Sequence, residues 1–103
     1  MKEPSRLAAL SGTPSQIELG TQLRDRVNAD FDRVAEALLT VARRQPEADR
    51  AATEAIIALL EEKRQEVMAH REAGYFIHKW PEPGDRVREM LLRDTRFQAI
   101  KAK

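Results

Sequence analysis

Thr13–Pro46 reads TPSQIELGTQLRDRVNADFDRVAEALLTVARRQP, and its spacing predicts one long helix. Thr13-Pro14-Ser15-Gln16 has the form of a capping box with proline at the first helical position, where the missing N–H costs nothing. Apolar residues follow at Leu19, Leu23, Val27, Phe31, Val34, Leu38 and Val41. Steps of three and four put them on one helical face, as a heptad from Val27 onward. Arg24, Asp25, Asn28, Asp32 and Arg43 occupy the opposite face. A helix over 13–44 is about 45 Å long. That overshoots a compact 100-residue globule, whose radius of gyration is about 13 Å, so the sequence predicts an elongated molecule. Gly20 is a small weakness within the helix.

Outward from this helix, Gln45-Pro46 breaks the pattern and a second helix is expected over 46–73. Glu47 and Asp49 lie in its first turn, where the helix dipole favours acids. Its apolar set is Ala48, Ala52, Ala55, Ile56, Leu59, Leu60, Val67 and Met68, interrupted by the polar run Glu61–Glu66. The alanine-rich first half is expected to pack closely against helix one. The tight break makes the two helices an antiparallel hairpin, with Glu62 near Asp30 and His70 near Gln22.

Gly74 is expected to end helix two in a left-handed turn. Residues 74–84 then read as an extended connector anchored by Tyr75, Phe76 and Trp80, because Pro81 and Pro83 remove backbone donors and favour extended neighbours. Short helices are expected at 85–93 and 95–101, the second opened by the capping form Thr95-Arg96-Phe97-Gln98. Residues 1–12, broken by Pro4, Ser11 and Gly12, are expected to be a flexible arm in which only Leu7 and Leu10 could dock, and 13–103 a single helical domain. The fold class is therefore all-α: a long antiparallel helical hairpin with one or two short C-terminal helices. One short helix covers only part of a long apolar seam. A homodimer with a four-helix core is expected, built on Val27, Phe31, Val34, Leu38, Ile56 and Leu60.

The 103 residues carry 18 basic and 17 acidic groups, a net charge of +1. Nucleic-acid binding normally shows as a basic excess, so it is not the expected role, although Arg43, Arg44 and Arg50 gather at the hairpin tip. With no cysteine, disulfides and cysteine-based zinc sites are excluded. No apolar run suits a signal peptide or a membrane span, and the composition fits a cytoplasmic, bacterial protein.

No catalytic residue or cofactor is expected. His70 and His78 stand apart from any nucleophile or glycine-rich loop. Glu62, Glu66 and His70, four residues apart in succession, form one stripe that, with Asp30 across the hairpin, could be half of a carboxylate–histidine metal site. The Glu-x-x-His spacing of di-iron bundles is missing, and Lys63, Arg64 and Arg71 offer ordinary ion pairing. The aromatic connector supports two readings: a plug that closes the end of the helix pair, or an exposed, proline-flanked segment for an unknown protein partner. In the second, Tyr75, Phe76, His78, Trp80, Pro81 and Met90 form the contact surface, and the protein is a non-enzymatic adaptor.

Overall fold

The computed structural model describes residues 9–82 and 85–102, and every regular element among them is a helix. In order these are α1 (Pro14–Arg44), α2 (Glu47–Met68), α3 (Ala73–Lys79), α4 (Arg86–Arg93) and α5 (Thr95–Lys101). None is long and apolar enough to cross a membrane.

Local chemistry sets the limits of α1. Thr13 Oγ1 accepts from the Gln16 amide at 3.2 Å, and Gln16 Oε1 accepts from the Thr13 amide at 2.9 Å. At the other end Gln45, held extended by the proline that follows it, leaves the helix. Arg50 then secures the turn. Its Nε donates to Ala42 O at 3.2 Å and its Nη2 to Gln45 O at 3.1 Å, so it satisfies carbonyls that the end of α1 leaves open. Arg50 is thus part of the hairpin turn and not a free member of a basic patch.

The hairpin is antiparallel, and Arg64 marks its register. From α2 it donates to Asn28 Oδ1 at 3.1 Å and Asp32 Oδ1 at 2.7 Å on α1, with its guanidinium 5.6 Å from the Phe31 ring centre.

Three expected segment boundaries are not those of the folded chain. The second helix stops at Met68, five residues early. Ser11 forms a single parallel bridge with Glu72: its amide donates to Arg71 O at 2.7 Å, and its carbonyl accepts from the Ala73 amide at 2.9 Å. Those bonds satisfy a stretch of backbone that is no longer helical, and they overrule the helix propensity of Ala69, Arg71 and Glu72. The same contact docks residues 9–12, with Leu10 buried. The flexible-arm reading is therefore wrong for 9–12, while residues 1–8 lie outside the described residues.

The connector is the third correction. Its first half is the helix α3, and Gly74 sits inside it with an ordinary backbone; Gly12 has the one positive φ among the described residues. The end of the connector at Pro83 and Gly84 is outside the described residues. The cause is packing: Ala73, Phe76, Ile77 and Trp80 are spaced 0, 3, 4, 7, a helical stripe, and α3 lays it on α1. Gly20 makes this possible. A Cβ built there would lie 2.8 Å from the Ala73 Cβ and 3.0 Å from its Cα, so only glycine admits α3 this closely.

The core lies where α3, α4 and α5 cover one face of the hairpin. Its largest fully buried side chains are Trp80, Phe31, Phe76, Leu60, Val27 and Val87. Val27, Phe31, Ile56 and Leu60, expected in a dimer core, are therefore enclosed within one chain, while Val34 and Leu38 are half-buried beside it. Two more short helices cover the seam than the single one the dimer argument assumed. The alanines of α2 do not pack on α1 either. Thr53 and Ile56 are buried there, whereas Ala48, Ala51, Ala52 and Ala55 are exposed.

Candidate functional site

The aromatic end of the molecule is a plug. Phe76 is fully buried and Trp80 is 1% exposed. Trp80 Nε1 donates to Tyr75 Oη at 3.2 Å, which satisfies the indole N–H, and the Arg86 guanidinium lies 5.0 Å over the Trp80 ring. Tyr75 stacks on His70 with ring centres 3.6 Å apart and meets Phe76 edge-on at 4.9 Å. Of the expected contact surface only His78 and Pro81 are exposed; Tyr75 and Met90 are half-buried. Phe76 and Trp80 cannot be exposed anchors in this fold, because their area closes the core.

The acidic stripe is also dispersed. Glu62 accepts from Arg96 of α5 at 2.9 Å, and Asp30 pairs with Arg33 on its own helix. His70 is engaged with Tyr75. Among the described residues no three His, Asp or Glu side chains are gathered as metal ligands.

The Glu62–Arg96 pair belongs to a clasp that holds α5 on α2. Lys63 Nζ lies 2.6 Å from Asp94 Oδ2, and Arg96 Nη2 lies 3.2 Å from the same atom. Asp94 also caps α5 by accepting from the Arg96 amide at 2.7 Å. The Arg96 side chain above all, then Lys63 and that backbone amide, hold the Asp94 carboxyl well below the usual carboxylate range.

The clasp positions α5 as one wall of a groove of about 620 Å3, whose other wall is the first half of α2. Ala48, Ala52, Ala55 and Ile56 line it from α2, and Ala99 and Ile100 from α5. Asp49 on the α2 wall and Lys101 on the α5 wall bring opposite charges to it. The heptad stripe of α1 shows the same loss of cover toward this end. Val27 and Phe31 are fully buried, Val34 and Leu38 are half-buried, and Val41 is 47% exposed. Sequence reasoning missed this surface. The signal was there in Ala48, Ala51, Ala52 and Ala55, but a run of alanines does not say which of its faces is covered.

No protein-family model matches the chain, and neither a curated protein nor a solved structure matches it.

Proposed function

We propose that this chain works by contact and not by chemistry, as a small helical interaction protein whose working surface is the open end of the hairpin. The carrying observation is the apolar groove of about 620 Å3 between α2 and α5, at the end of the hairpin where the α1 stripe has gone from full burial at Val27 to 47% exposure at Val41. An open, mainly apolar groove of this volume is an ordinary form of binding site. It replaces the aromatic surface, whose rings are needed inside. His70 and Glu62, the side chains best suited to acid–base or metal work, are engaged in a ring stack and an ion pair.

Site-specific photocrosslinking in living cells tests the proposal. A benzophenone side chain in place of Ala52, in the groove, is expected to give discrete crosslinked products. The same group in place of Arg88, exposed on α4, is expected to give none. Equal labelling at both positions, or none at either, refutes the contact reading.

A further inference from the structure

We infer that the occupant of the groove is a second copy of this chain, seated about a two-fold axis that lays the first half of α2 against the same segment of its partner. The inference rests on the contact reading of the open end and names what binds there.

A two-fold interface must be complementary to itself, since the same patch serves on both sides. This patch meets that demand in shape. Ala48, Ala52 and Ala55 are at once the α2 wall of the groove and an exposed helix ridge of small side chains. Small side chains let two helix backbones approach closely. In the two-fold arrangement each α2 lies between α2 and α5 of the other chain, and the four helices form a closed bundle.

The patch meets the demand in charge as well. Asp49 and Lys101 stand on opposite walls of one groove. Seating α2 of one copy beside α5 of the other brings each Asp49 toward the partner's Lys101, so one symmetric contact makes the pairing twice. A net charge of +1 leaves two copies with little mutual repulsion. The groove has 11 lining residues, about half of the 20–30 a side of a standard interface. The expected association is therefore reversible, with a dissociation constant in the micromolar range.

Sedimentation equilibrium of the whole chain from about 1 μM to 1 mM tests this across the expected range. The average mass is expected to rise with concentration from 11.8 kDa toward twice that value. Asp49→Lys alone and Lys101→Asp alone are each expected to weaken association about tenfold, the loss of a close charge pair in favour of a like-charge one. The double variant, which swaps the charges, is expected to recover most of it. Ala52→Glu, which keeps a good helix former at an exposed site, is expected to abolish association while circular dichroism stays unchanged. A mass of 11.8 kDa throughout, or a swap that recovers nothing, overturns the second copy as occupant. If photocrosslinks at position 52 then join the chain to a different protein, the second-copy inference falls and the contact reading stands. If position 52 crosslinks nothing, both fall.

Discussion

The two ends of the hairpin are built from the same helix face and treated oppositely. Toward the base, α3 and α4 cover α1 so that Val27, Phe31, Phe76 and Trp80 have almost no exposed surface, and only Leu19, at the start of the stripe, is left 45% exposed. Toward the tip the same stripe continues through half-buried Leu38 to Val41, which is 47% exposed, and α2 turns alanines outward. Aromatic rings close one end and small residues leave the other open. A short chain has a limited apolar surface to cover with, and this one concentrates its large rings at the base. Stability and contact are therefore expected to separate along the long axis: substitutions at the base should change folding, and substitutions at the tip should change association.

The largest effects should come from the base. Phe76→Ala or Trp80→Ala removes a fully enclosed ring and should cost about 3–5 kcal/mol in chemical denaturation. Val27→Ala, a smaller cavity in the same place, should cost about 2–3 kcal/mol. If Trp80→Ala unfolds with a wild-type midpoint, the plug reading is wrong and the contrast between the ends disappears.

Next in size is Gly20→Ala. The added methyl collides with the Ala73 Cβ at 2.8 Å and with its backbone, and overpacking of this kind costs about 1–3 kcal/mol. Gly74→Ala is the control, since the nearest atom to its Cβ is His78 Cδ2 at an ordinary 3.7 Å. There the alanine should be neutral or stabilising by up to about 1 kcal/mol, because glycine in a helix is the poorer residue. Equal losses at both positions in a thermal melt would show that α3 does not press on α1 at Gly20.

That pair of glycines also marks how far the sequence could be read. Gly20 looked like a local weakness and Gly74 a helix stop, because propensity is a local quantity. Which glycine is essential depends on Ala73, 53 positions from Gly20. The first helix was legible because its capping box and apolar stripe are local and agree with each other. The end of the second was not, since it is set by Ser11, which is distant in sequence. The helical spacing of Ala73, Phe76, Ile77 and Trp80 was present, but the prolines around Pro81 drew the reading toward an extended connector. The groove escaped notice for a different reason. It is defined by where α5 stops covering α2, and no residue within the groove encodes that limit.

A smaller effect tests the clasp between the two regions. The folded-state pKa of Asp94 is lowered from the ordinary 3.8, so its contribution to stability is present above that value and is lost as pH falls below it toward the folded pKa. Arg96 is pushed further up from an already high value and adds no titration between neutral pH and acid. Acid denaturation of the wild type should therefore show a loss of stability below about pH 4 that is missing in Asp94→Asn. The same variant should loosen α5 and, with it, one wall of the groove, so hydrogen exchange in Thr95–Lys101 should rise while exchange at Val27 and Phe31 does not. Matching acid profiles for wild type and variant would remove the clasp from the account.

The smallest expected change is the most discriminating. Val41→Ala makes the same chemical cut as Val27→Ala, in the same helix and on the same stripe, two heptads away. Val41 is 47% exposed where Val27 is fully buried, so the methyls removed at the tip already meet water in a single chain. The cost should stay within about 0.5 kcal/mol, the usual range for a surface substitution, when unfolding is measured on dilute, monomeric protein. A loss of about 2 kcal/mol under those conditions would mean that the single chain covers Val41 in solution, and the α1 stripe would then add nothing to the open surface. A small loss in dilute protein that grows with concentration would instead place Val41 beside the contact, because a partner that binds only the folded state adds stability by mass action. The two valines thus measure the same interaction with the cover present and absent, and the difference between them gives the value of the missing helix.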